Sequence, residues 1–302
     1  MNLTFPMFSF DGPIFSLDDE EIFHRLISRF LPAEWQLRCF TDQEDFKVEI
    51  LRQLKLQEDV CSRLSGILHD WRTQETSLIS SLVKFWHAQT ERPASLVLID
   101  FRMPYSTGVE LLSSAPLKDW GGIKLLLTAH ADDRVAVDAF NRGLISQFIS
   151  KGALAGNRLQ VIDQMGSLRR IGNNLFERTW ASQIDHDQQE VVLSIRHRIS
   201  ALIEEDGWQD FAVVGQPFGV LARRRDGSVR WLQLETQSSL PALVDVLENI
   251  GVSQQDCGEV KSGQALVALE IPGAHRKKMP TIDMGSEKQK VWGALFDVDP
   301  IS

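Results

Sequence analysis

The stretch SLVLIDFRMPYSTG, residues 95–108, carries the residue whose placement first invites chemistry. Leu96, Val97, Leu98 and Ile99 run without a polar break into Asp100. A short, fully apolar run rich in Val and Ile predicts a strand buried on both faces, as in a parallel sheet flanked by helices. In such sheets ligands and reactions collect beyond the carboxyl ends of the strands, and Asp100 falls at such an end. An acid there is often only a helix cap, so Asp100 needs company. Other strand ends supply it. Ile14 to Leu17 runs into Asp18-Asp19-Glu20, Ile123 to Leu127 into Thr128-Ala129, and Phe148-Ile149-Ser150 into Lys151. In chain order the strand ends offer an acidic pair, a lone acid, a hydroxyl and a lysine. Carboxylates attract a hard cation and lysine an oxyanion.

That order is specific. With D-x-x-M-P from Asp100 to Pro104, Gly108 after it, and Phe148 ahead of the lysine, it resembles the receiver domain of two-component response regulators. The resemblance covers roughly residues 13–155. The phrase AFNRGLISQFISKG is similar to a group of bacterial response regulators with an enlarged second helix. The resemblance implies that Asp100 is the phosphoacceptor and that Mg²⁺ is the cofactor. Asp19 would bind the metal directly and Asp18 mostly through water, with Asp100 and the backbone carbonyl of Arg102 completing the protein's share. Lys151 would pair with phosphoryl oxygens, Thr128 would hydrogen-bond to one of them, and the rotamer of Phe148 would follow Thr128 as the switch.

The residue types suit that chemistry. Phosphoryl transfer to a carboxylate needs charge neutralisation and in-line positioning more than covalent help. Magnesium takes near-octahedral oxygen ligation from one or two carboxylates, waters and the phosphoryl group. One departure is Gly152, where receivers usually follow the lysine with a cis proline. Glycine permits unusual φ at no steric cost, so the loop is expected to keep its path but lose rigidity.

At 302 residues the chain is one large or two ordinary domains. With 43% hydrophobic and 24% charged residues it has ordinary globular composition. No apolar run approaches the ~20 residues of a membrane span, and the first residues lack a basic segment before an apolar core. Cys39, Cys61 and Cys257 are too few and scattered for a disulfide framework or metal site, which predicts reduced thiols in the cytoplasm. The net charge of −9 argues against nucleic-acid binding by the chain as a whole.

The positioning elements follow. Residues 1–12 read as a short arm, Asp19 to Phe30 as the first helix, and Gln36 to Phe40 as the second strand. Thr41-Asp42-Gln43-Glu44 has the cap and acidic first turn of another helix. A helical insertion, about 46–94, then departs from an ordinary receiver, with a break at Thr73 to Thr76. Its Trp71, Phe85 and Trp86 exceed what two helices hide between them. They are expected to be covered by the rest of the chain or, preferentially, by a second copy in a homodimer. Later helices start at Val109 and after Ala131-Asp132-Asp133, the latter ending at Gly143.

A helical connector, 156–206, reads as one helix from Asn157 to about Ser182 and another from about Gln188 to Glu205, which would form a coiled pair or part of a dimer interface. Residues 207–302 read as a small α+β domain: strands at Phe211–Val214, Gly219–Arg223 and Val229–Leu234, a turn at Arg225-Asp226-Gly227-Ser228, a helix from Ser239 to Ile250, and strands at Leu266–Ile271 and Val291–Val298. Gly273 to Gly285 reads as a mobile loop. No output motif is present there: no phosphate-binding Gly-rich loop, no cyclic-nucleotide synthase signature, no paired His-Asp run. Asp185-His186-Asp187 reads as a solvated cap, and the runs Arg223-Arg224-Arg225 and His275-Arg276-Lys277-Lys278 as charged surface.

The fold class expected is therefore α/β, a doubly wound parallel five-stranded receiver sheet with a helical insertion, a helical connector and a second, smaller α+β domain. The function expected is a cytoplasmic phosphorelay regulator whose partner is a sensor histidine kinase or phosphotransfer protein, with no nucleic acid and no membrane involved. The alternatives are a phosphorylation-independent scaffold that docks through a receiver fold, and a ligand sensor or enzyme in residues 207–302.

Overall fold

The computed structural model describes residues 5–128, 134–171, 174–269, 271, 276–285 and 290–299. They divide into two compact units: residues 9–63 with 91–178, and residues 1–8 with 64–90 and 179–302. The chain opens with β1 (Phe8–Ser9), which joins a sheet formed much later. The arm expected over residues 1–12 is thus partly a strand, and Phe8 is 1% exposed.

The receiver-like unit begins with β2 (Ile14–Leu17), buried along its whole length. Helix α1 (Glu21–Phe30) follows, starting two residues later than the spacing suggests because Asp18 Oδ1 accepts from the Glu20 amide at 3.0 Å. Phe23, Ile27 and Phe30 face the core, and Pro32 ends the helix zone. Strand β3 (Arg38–Phe40) is shorter than expected, since Gln36 takes a left-handed φ of 50°. Helix α2 (Gln43–Arg72) is 30 residues long, and α3 (Leu78–Ala88) follows a break beginning at Thr73, as the spacing predicts. Ser77 caps α3 by accepting from the Ser80 amide.

Strand β4 (Leu96–Asp100) is fully buried. Then come α4 (Gly108–Ser113), β5 (Ile123–Thr128), α5 (Arg134–Asn141), β6 (Gln147–Ser150), α6 (Lys151–Gly156) and α7 (Arg158–Ile171). The cap expected at Ala131 to Asp133 lies outside the described residues. The sheet order is β3-β2-β4-β5-β6, all pairs parallel. One face packs on Phe23, Ile27, Val161, Met165 and Leu168 of α1 and α7. The other packs on Phe46 and Ile50 of α2 with Leu111, Leu112 and Trp120. Helix α7 therefore spends its apolar stripe on the receiver sheet, not on a coiled pair.

Of the long connector helix expected to reach Ser182, α7 and α8 (Asn174–Ala181) are seen on either side of residues 172–173, which lie outside the described residues. Further on, α9 (His186–Ser194) and α10 (Arg196–Glu205) replace a single helix, because Ile195 leaves helical geometry at φ −105°, ψ 9°.

The second unit holds β7 (Trp208–Val214), β8 (Gly219–Arg224) and β9 (Val229–Thr236), then α11 (Leu240–Asn249), α12 (Gln254–Lys261), β10 (Ala265–Val267), β11 (Lys278–Pro280), β12 (Ile282–Asp283) and β13 (Val291–Val298). Its main sheet runs β1-β7-β8-β9-β13-β12, and β10 pairs separately with β11. Gly227, at φ 87°, makes the turn between β8 and β9. Part of the segment expected as a loop, 273–285, is strand: β11 and β12 occupy it.

Helix α3 is built into this unit. Leu78, Ile79, Leu82, Val83, Phe85 and Trp86 are buried, Trp86 completely, and Trp71 is half-buried. The chain itself covers the aromatic surface that the sequence reading assigned to a second copy. Among the described residues no helix is long and apolar enough to cross a membrane.

Candidate functional site

The parallel sheet changes direction of growth between β2 and β4: the chain leaves β2 for β3 on one side and returns to β4 on the other. The crevice beyond the strand ends at such a switch point is where an α/β sheet offers a binding site. Asp18 and Asp19 follow β2, and Asp100 ends β4. One ligating oxygen from each lies within 4.8 Å of the others, and among the described residues no other group of His, Cys, Asp or Glu does this. Asp18 is fully buried, Asp100 is 5% exposed, and Asp19 faces solvent. Three hard carboxylate oxygens fit a small dication that prefers oxygen.

Thr128 ends β5 and is fully buried; its register partner is Ser150, the last residue of β6. Lys151 opens α6, with its Nζ 2.7 Å from Asp18 Oδ2 and 3.0 Å from Asp100 Oδ1. The four expected strand ends thus converge on one edge. Burial pushes the Asp100 carboxyl up from its ordinary value, partly offset by Lys151. Burial alone would lower Lys151, but hydrogen bonds and charges from Asp18 and Asp100 together hold it above its ordinary value. Phe148 is half-buried against the cluster on the α2 side of the sheet.

The loop after Asp100 is braced at several points. Phe101 donates its amide to Leu127 O at 2.8 Å, and Gly108 donates to Phe101 O at 3.0 Å. Arg102 forms an isolated antiparallel bridge with Thr107, which fixes the path of its carbonyl. Thr107 and Glu110 cap α4 reciprocally. Gly108 is required by close approach: a Cβ there would stand 2.3 Å from Asp100 O. A cleft of about 230 Å³ opens beside Asp19, between Thr41 to Glu44 and Met103 to Tyr105.

Gly152 does not use its freedom. It lies in α6 without positive φ, and its amide donates to Ser150 Oγ at 3.2 Å. The loose loop expected after the lysine is therefore a capped helix start. The sequence reading also missed two neighbours on α1. The Phe23 ring lies under Lys151 Nζ, 4.7 Å from centroid to nitrogen. His24 is 8% exposed with its Nε2 unpartnered, and burial lowers its pKa from the ordinary value. Neither shows in sequence, because nothing local ties α1 to residue 151.

In the second unit, Asp185 caps α9 through a reciprocal bond with Gln188, the role its sequence context suggests. Arg223 pairs with Asp210, and Arg224 with Asp206. A cavity of about 370 Å³ lined by Asp185, Asp187, Glu190 and Glu235 gathers no three ligating atoms close enough to hold an ion.

With the sheet order and the acidic edge in view, solved structures supply the comparison. The LqsR response regulator of Legionella pneumophila matches over 98% of this chain and 91% of its own, with a TM-score of 0.70 at 17% identity. The parallel half has the response-regulator receiver fold. The likeness extends beyond the receiver to the antiparallel domain, and at 17% identity it speaks for fold alone. TrrA from Thermotoga maritima, solved with Mg²⁺-BeF, matches 52% of this chain and 98% of its own at 17% identity; its TM-score of 0.32 is too low to argue from. No family model matches the chain, and no curated protein does.

Proposed function

We propose that the receiver accepts a phosphoryl group on Asp100 from the phosphohistidine of a sensor histidine kinase or phosphotransfer protein. The observation that carries this reading is the convergence of Asp18, Asp19, Asp100 and Lys151 at the switch point of the sheet. An Asp100 carboxylate oxygen attacks phosphorus, the phosphorus–nitrogen bond breaks, and the donor imidazole leaves with the electron pair. Asp18, Asp19, Asp100 and the carbonyl of Arg102 would hold Mg²⁺, which when bound supplies charge neutralisation for the phosphoryl oxygens. Lys151 exchanges its contact with Asp18 for one with the phosphoryl group. Thr128 donates to a phosphoryl oxygen, and Phe148 follows it inward.

The altered face then biases α7 and the connector helices, and through them the antiparallel domain. The domain reading remains receiver 1–155, connector 156–206 and output domain 207–302, with strand β1 and helix α3 contributed to the output sheet from outside that last range. Cys39, Cys61 and Cys257 form no disulfide with one another, which suits a reducing cytoplasm. Of the three aromatics behind the expected homodimer, Phe85 and Trp86 are buried within the chain and Trp71 is half-buried, and the proposal carries no second copy.

The test is intact-mass measurement after incubation with acetyl phosphate and Mg²⁺. Wild type gains one phosphoryl group and Asp100→Asn gains none while still unfolding cooperatively. Equal labelling of the variant removes Asp100 as acceptor; no labelling of wild type leaves the docking scaffold as the reading.

A further inference from the structure

We infer that Phe23 is a positioning residue for Lys151 in this transfer, an inference that rests on the phosphoacceptor reading above. Lys151 has an unusual setting for a residue that must hold an ammonium in place. It stands at the junction of β6 and α6, followed by Gly152, a residue that loses more backbone freedom on ordering than any other. Its backbone brace is the Ser150 cap. Its side chain is 21% exposed and reaches two acids at once, Asp18 and Asp100. The Phe23 ring takes a further side of the ammonium, with its centroid 4.7 Å from Nζ.

An aromatic face attracts a cation through its quadrupole, and more strongly where water is excluded. Phe23 is 5% exposed and belongs to the buried cluster that also holds Ile27, Ile149 and Leu154, so the core supports the ring. Such a contact lacks the directionality of a hydrogen bond. It can hold the ammonium while Lys151 trades a carboxylate oxygen for a phosphoryl oxygen. Asp18 and Asp100 cannot do this, because each is itself engaged in the transfer. Phe23 also fills core volume, so the substitution must separate the two roles.

The experiment uses the full chain and compares Phe23→Leu, Phe23→Met and Phe23→Tyr with wild type. Acetyl phosphate labelling of Asp100 is followed by intact mass across donor concentrations at saturating Mg²⁺, and melting temperature is measured on the same samples. Leu and Met keep apolar volume and lose the π face, so the saturated labelling rate should fall about 2–30-fold. Tyr keeps the face and should restore the rate to within about 2-fold of wild type, although its hydroxyl adds volume and a polar group to the core. If Leu and Met label at the wild-type rate, or if Tyr is as slow as they are, the positioning role is wrong and the acceptor reading stands. If wild type takes no phosphoryl group at all, the acceptor reading falls and this inference with it.

Discussion

Glu235 shows how one side chain can tie stability to pH away from the phosphoacceptor. It is half-buried in the last two residues of β9, where desolvation raises its pKa against hydrogen bonds donated by Ser239 Oγ at 2.5 Å and Gln233 Nε2 at 3.2 Å. A carboxyl whose folded pKa lies above its unfolded value favours the folded state fully below the unfolded pKa, about 4.3. That contribution is lost as pH rises through the folded pKa, so at neutral pH the ionised group costs stability. Glu235→Gln should therefore gain stability relative to wild type at pH 7 and not at pH 4, measured by urea unfolding at both. An unchanged difference between the two pH values would show that Glu235 titrates alike in both states. At this scale the acids, the hydroxyl and the lysine were legible, because each ends an apolar run. Phe23 was not. Its partner lies 128 residues away and meets it only in the folded chain.

Among the elements, α3 depends on one arginine. Arg223 of β8 pairs with Asp210 of β7, which is fully buried, and donates Nη1 to the Trp86 carbonyl at 2.8 Å in the last turn of α3. Removing the guanidinium takes the ion-pair partner from a buried carboxylate and a donor from a helix-end carbonyl together. Arg223→Met should cost about 3–5 kcal/mol in chemical denaturation, the range for breaking a buried pair. Adding Asp210→Leu should recover much of the loss, since a matched apolar pair leaves no charge behind. The sequence marked Arg223 as part of a charged hairpin tip, because three consecutive arginines in a strand read as surface. Alternation along β8 instead sends that one inward. Other elements escaped for related reasons. Helix α12 buries only Cys257 and Val260, too few to set a helical period, and β11 is exposed at all three positions. Apolar continuity made β2, β4 and β5 readable; short or exposed segments carry no such signal.

The molecule as a whole is less modular than its chain order suggests. The antiparallel sheet takes β1 from residues 8–9, and its unit takes α3 from the insertion. Residues 207–302 expressed alone should therefore lack an edge strand and a covering helix with six buried apolar side chains. Each large side chain left uncovered forfeits roughly 1.5–3 kcal/mol, against a total stability of about 5–15 kcal/mol for a domain. The fragment should show no cooperative thermal transition by circular dichroism, whereas the full chain melts cooperatively. A cooperative fragment would mean that β1 and α3 are accessories to a self-sufficient sheet.

Strand β1 also sets the order of events during synthesis. Met7 accepts from the Val213 amide at 2.8 Å, so these two backbone groups are joined across some 200 residues of chain, a separation that makes pairing slow. At translation speeds of about 5–20 residues per second, the segment from Phe5 to Phe10 leaves the ribosome about 10–40 s before its partner strand exists. During that wait three large apolar side chains, Phe5, Met7 and Phe8, each buried in the finished protein, have no sheet to enter. The nascent chain would carry this unpaired apolar segment through the folding of the whole receiver. A chaperone that shields short aromatic segments should hold the segment around β1 and release it only after Val213 has emerged.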